Sequence, residues 1–222
     1  MAAAKRTLGA VLALALACGT ALAQGSDLQS GVSALAYGWG RATYEVQASR
    51  QKAADAGRLA DQAAALAQRY PGRAEPLAWR ALLLLVQADA EHSLHSLALA
   101  GRARSLLERA RSIDPNAIGP GVIDANLGAL YAQVPGGPIS FGDKGKARRY
   151  FALALAEGPE ELEVNYLYGE FLLQQGDEHG AVRFLQRVLD APPRPGMAIA
   201  DRGRKAEAGR MLAKALGQRA SG

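Results

Sequence analysis

Residues 162–195 read LEVNYLYGEFLLQQGDEHGAVRFLQRVLDAPPRP, and their spacing decides the fold. Ala181, Leu185, Val188 and Pro193 follow one another at intervals of four, three and five residues. The same intervals recur at Ala103, Leu107, Ala110 and Pro115, and again at Ala147, Phe151, Ala154 and Pro159. A weaker copy is Leu59, Ala63, Leu66 and Pro71. Residues three and four apart share one face of a helix, so each set is a packing stripe. A small residue in the stripe lets a neighbouring helix come close, and the proline ends the helix and starts the next turn. Each stripe therefore belongs to the second helix of a helix–turn–helix unit.

The first helices lie upstream. Asn165, Tyr166, Tyr168 and Gly169 precede Ala181; Leu127, Gly128 and Tyr131 precede Ala147; Trp79, Leu82 and Leu83 precede Ala103. Glycine is costly inside an isolated helix, so its place there points to tight contact with the partner helix. Ala181 is expected to face Gly169 across that contact. These residues resemble the tetratricopeptide repeat family, whose pattern is a Trp/Leu/Gly/Tyr cluster, a small–bulky–small stripe and a closing proline. The resemblance implies an all-α solenoid of about four antiparallel helix pairs with a concave groove. Its units fall at about 32–73, 74–117, 118–161 and 162–195, with a closing helix at 199–216. The first two full units carry extra residues, about eight between Leu83 and Ala103 and about seven between Gly128 and Ala147. In its C-terminal half, VPGGPISFGDKGKARRYFALALAEGPEELEVNYLYGEFLLQQGD is also similar to exported bacterial repeat proteins, including the T component of some TRAP transporters.

The N-terminal stretch reads as a targeting segment. Lys5 and Arg6 precede an apolar run from Leu8 to Ala17, too short for a helix across the roughly 30 Å bilayer core. Ala21-Leu22-Ala23 is a signal-peptidase pattern, which makes residues 1–23 a signal peptide and Gln24 the mature start, in the periplasm. Ala15-Leu16-Ala17-Cys18 carries the alternative, a lipoprotein anchored at Cys18, the single cysteine. Either way the folded part has no disulfide and no thiol chemistry. No other apolar run approaches membrane-spanning length. The chain's net charge of +5 falls to +3 once Lys5 and Arg6 are removed, with no long block of one sign. Nucleic acid is therefore not an expected partner.

Motifs for chemistry are few. The loop from Pro135 to Lys144 has glycines at a phosphate-loop separation, but Asp143 intervenes before Lys144 and no strand precedes it. Asp143 reads instead as a helix N-cap. His92 and His95 share a helix face beside Asp89 and Glu91, the one arrangement from which a metal-dependent hydrolase would be built, yet zinc sites take three or four ligands. Glu157, Glu160, Glu161 and Glu163 surround a helix start, where negative charge is favourable in any case. Asp201 and Arg204 are spaced for a local ion pair. Lys144, Lys146, Arg194 and Arg202 would form a basic edge toward an acidic partner if the units stack. No nucleophile–base–acid set stands out, and no cofactor is called for.

Binding is the expected activity, not catalysis. The inner face of the first helices gives Arg80, Leu84 and Gln87 in one unit, Ala125, Ala129 and Gln133 in the next, and Tyr166, Glu170 and Gln174 in the last. Such a groove suits an extended peptide or a small amphipathic ligand. The leading expectation is a periplasmic scaffold for a protein or peptide partner. The alternative is an accessory, T-component-like subunit beside a TRAP-type transporter, as the resemblance implies.

Overall fold

The computed structural model of the protein describes residues 25–91 and 93–219. The signal segment, Cys18, the Gln24 start and His92 lie outside the described residues. Nine helices are described, in chain order: α1 (residues 25–44), α2 (Ser49–Arg69), α3 (Glu75–Glu91), α4 (Leu94–Ile113), α5 (Val122–Gln133), α6 (Lys144–Glu157), α7 (Leu162–Gln174), α8 (Glu178–Asp190) and α9 (Ala198–Arg219). No strand occurs among the described residues; the nearest approach is one isolated bridge between Gly136 and Gly142. The fold is all-α, with consecutive helices packed in pairs.

Each repeated proline lies just beyond a helix end. Pro71 follows α2, Pro115 follows α4, Pro159 follows α6 and Pro193 follows α8. The connection from α4 to α5 also needs Gly121, whose φ of +70° and contact with the Ala154 carbonyl leave no room for a side chain. Between the turns, the stripes form the core. Ala103, Leu107, Ala110, Ala147, Phe151, Ala154, Ala181, Leu185 and Val188 are all completely buried. In α2, Ala63 and Leu66 are buried but Leu59 is half-buried, and Ala56 and Ala60 take over its place.

The glycines sit where two helices cross. A Cβ on Gly128 would stand 3.0 Å from the Phe151 ring, and one on Gly169 would stand 2.9 Å from Leu185. The expected pairing of Gly169 with Ala181 is therefore corrected: Gly169 meets the bulky residue one turn further along α8. The α7–α8 turn at 175–177 sets this offset, and Ala181 packs fully buried nearer that turn. Ala181→Leu still overfills a fully buried place in the core. It is expected to cost about 1–3 kcal/mol, several degrees of melting temperature in a chain of this size, measurable by thermal denaturation.

The two insertions take different forms. The residues between Leu83 and Ala103 lengthen the two helices themselves, so that α3 runs on to Glu91 and α4 begins at Leu94. Those between Gly128 and Ala147 make the 134–143 segment, pinned by Gly142 N–H to the Pro135 carbonyl (2.9 Å) and Asp143 N–H to the Tyr131 carbonyl (2.9 Å). Phe141 of this segment meets Tyr131 edge-on at 5.6 Å.

The first and last helices also meet. Gly40 of α1 lies against Ala200 of α9, and Gly203 lies against the Tyr44 ring. The Tyr44 hydroxyl donates to Glu207 Oε2 at 3.1 Å. α9 packs in addition on α7 and α8, so α1 is tied to the C-terminal end of the helix stack.

Candidate functional site

The long α3–α4 hairpin stands opposite α5 and α7, and a groove of about 520 Å³ separates them. Helical periodicity explains its walls. Leu82, Leu85, Val86 and Asp89 recur at intervals of three and four on α3, as do Ser96, Leu97 and Ala100 on α4. Asn126, Ala129, Leu130 and Gln133 do the same on α5, and Tyr166, Leu167 and Glu170 on α7. Trp39 and Thr43 of α1, Lys52 of α2, and Arg204 and Glu207 of α9 complete the wall. The result is an apolar trough with a polar end.

Arg204 organises that end. Its Nη2 donates to Glu163 Oε1 at 2.6 Å and its Nε to Glu163 Oε2 at 3.2 Å, a forked pair. Nη1 reaches Glu207 Oε2 at 3.3 Å. The guanidinium lies 4.1 Å from the Tyr166 ring centre, 5.5 Å from Trp39 and 5.9 Å from Tyr44, so aromatic rings from α1 and α7 surround a cation from α9. Burial opposes the Arg204 charge, but Glu163, Tyr44 and Tyr166 outweigh it and hold its pKa well above the ordinary arginine value. Burial likewise pushes the Tyr44 and Tyr166 phenols far above the usual tyrosine range.

Glu170 is the unusual acid. Burial raises its pKa; Arg204 opposes the rise, and Glu207, Glu163 and Asp89 add to it. The Gln133 amide reaches it only at 3.5 Å. The folded state therefore holds this proton more tightly than the unfolded chain does. Stability falls as pH rises from the ordinary carboxylate range through the raised value. Glu170→Gln removes that loss, so it is expected to raise the melting temperature near pH 8 and leave it unchanged near pH 4. Paired thermal melts at the two pH values check this.

The structure brings Tyr166, Glu170 and Gln133 together in the groove, with Ala129 beside them. It does not bring the other five expected residues there, and Ala125 is fully buried in the core. Arg80 lines a separate cavity of about 530 Å³ with Leu84 and Arg102. The Gln87 amide donates to Glu91 Oε1 at 2.7 Å and lies beside Gly57 of α2. Gln174 is exposed in the last turn of α7. Trp39, Tyr44 and Glu207 were not among the expected residues, and Asp89 was expected only beside His92 and His95, not in the groove. Glu163, an acid inside an otherwise apolar stretch of α7, was the available signal that a buried cation must answer it.

The basic residues do not share one surface role. Lys144, Lys146 and Arg202 are exposed, and the Lys146 ammonium sits 5.1 Å over Tyr131. Arg194 turns inward, donating to Asp201 Oδ1 at 2.8 Å and Glu161 Oε1 at 2.9 Å. The expected local pair of Asp201 with Arg204 is thus corrected: Asp201 takes Arg194, and Arg204 takes Glu163, because residue 204 faces α7. Asp143 caps α6 by accepting from Gly145 N–H (2.8 Å) and Lys146 N–H (3.0 Å), and these bonds hold its carboxyl below the usual range. His95 is exposed, with Nε2 4.0 Å from Glu91. Among the described residues no three His, Cys, Asp or Glu side chains are gathered to hold a metal ion, and no helix is long and apolar enough to cross a membrane.

Fold and site together define a class: an all-helical protein of sequential helix pairs with an apolar, polar-ended groove. Compared with known proteins, the chain matches no family model and no curated sequence.

Proposed function

We propose that this protein is a non-catalytic binding protein that holds a small amphipathic molecule in the groove between α3–α4 and α5–α7. The observation that carries this reading is the groove's lining, a long apolar wall from α3, α4 and α5 ending in a few convergent polar groups. About 520 Å³ of space so lined suits a compact ligand, since small-molecule sites usually measure about 300–1,000 Å³. The contact of α1 with α9 favours a compact ligand over a long extended peptide, because Trp39 and Arg204 from these helices stand together at the polar end. An exported accessory role beside a TRAP-type uptake system, as the T-component resemblance implies, extends the same reading. A scaffold for a peptide partner is the competing one.

Thermal stabilisation separates the two. A ligand that binds only the folded state stabilises it by about 2.7 kcal/mol at a hundredfold excess over Kd. Small amphipathic compounds are expected to raise the melting temperature, and unstructured peptides of matched composition are not. Stabilisation by the peptides alone would replace ligand holding with scaffolding.

A further inference from the structure

The groove has a charge preference. Arg204 and Lys52 are the cations that line it, and Asp89, Glu170 and Glu207 are the carboxylates. Arg204 is already matched by the forked pair with Glu163, behind the groove surface. Lys52 Nζ is turned to the Thr43 carbonyl at 3.0 Å. With Glu163 behind them, the three lining carboxylates make four acids against two cations, and Arg204 is shared between Glu163 and Glu207. Of the lining acids, Glu207 takes hydrogen bonds from Tyr44 and Arg204, whereas Glu170 has only the long contact from Gln133. The acids are not clustered as a metal site, and the wall beside them is Leu82, Leu85, Leu97, Ala129 and Leu130. A bare metal ion would leave that apolar wall uncovered, and an organic anion would meet repulsion at the polar end.

We propose that the groove takes an organic cation, an ammonium group carried on an apolar body, with the charge against Glu170 and the body along α3, α4 and α5. This rests on the ligand-holding reading and names the class of ligand. Glu170 is half-buried on the groove wall, and a carboxylate partly shielded from water gains more from an incoming cation than a fully exposed one does. Binding draws Glu170 into its ionised form, against the upward pull on its pKa.

Calorimetric titration of the full chain with octylamine, octanol and octanoate near pH 7.5 tests this, because the three share one apolar body and differ in charge. Octylammonium is expected to bind at least about tenfold more tightly than octanoate, with octanol between them. Glu170→Gln, which keeps the fold, is expected to weaken octylammonium about five- to tenfold and leave octanol unchanged. Ala129→Trp, which fills the trough, should abolish binding of all three. Octanoate binding as tightly as octylammonium, or an unaltered octylammonium affinity in Glu170→Gln, overturns the cation assignment while the ligand-holding reading stands. Failure of all three compounds to bind, or full binding by a folded Ala129→Trp, overturns both.

Discussion

Arg204→Ala is expected to lower stability by about 3–5 kcal/mol, of the order of ten degrees of melting temperature in a chain of this length. The loss is large because the substitution strands Glu163, whose side chain is only 5% exposed and takes both of its short hydrogen bonds from this guanidinium. A buried charge without its partner costs more than the pair contributes when intact. The aromatic surround of Trp39, Tyr44 and Tyr166 loses its cation at the same time. Arg204→Met combined with Glu163→Met should recover most of the loss, since no charge is then left buried. Urea denaturation of the two variants checks the contrast. Equal destabilisation by both would mean that packing, not charge pairing, holds α9 to α7.

Gly203→Leu is expected to be the most damaging single change at the junction of the first and last helices. A side chain at residue 203 collides with the Tyr44 ring near its attachment to the backbone, where the ring has little freedom to swing aside. Tyr44 must leave, taking with it the hydrogen bond to Glu207. Overpacking of about 1–3 kcal/mol and a lost hydrogen bond of about 1 kcal/mol put the total near 2–4 kcal/mol. Hydrogen exchange should quicken in α1 and α9 and stay slow in α5 and α6, which lie away from this junction. Uniform quickening through all helices would show that α1 and α9 do not open separately.

The all-α pairing of consecutive helices was legible in the sequence because its signal is local. The small–bulky–small stripes at Ala103, Ala147 and Ala181 are one face of one helix each, and their prolines sit two or three residues past the helix ends. The α1–α9 contact was not legible. It depends on Gly40, Ala200 and Gly203, small residues far apart in sequence that nothing local pairs. The groove was legible where a glycine marks the helix crossing. In α7, Gly169 fixes the rotation, and Tyr166 and Glu170 were placed from it. Gln174 was lost to drift, because each step of four residues overshoots a turn by about 40°. α3 has no glycine, so its rotation was read two residues out: Leu82, Leu85, Val86 and Asp89 line the groove, and Arg80 and Gln87 do not. Arg204 was visible as a charge but not as the centre of the site, since its partner Glu163 lies 41 residues away.

The central claim is that one groove in this molecule holds a small ligand. Native mass spectrometry tests it most directly, on the chain purified without denaturant from the cells that produce it, beside Ala129→Trp prepared in the same way. The account predicts a discrete non-covalent adduct of small-molecule mass on the natural chain, and none on a variant that keeps its helical dichroism and melting temperature. An adduct that persists in the folded Ala129→Trp variant, or a natural chain that carries nothing and accepts no small amphipathic compound on titration, would contradict it.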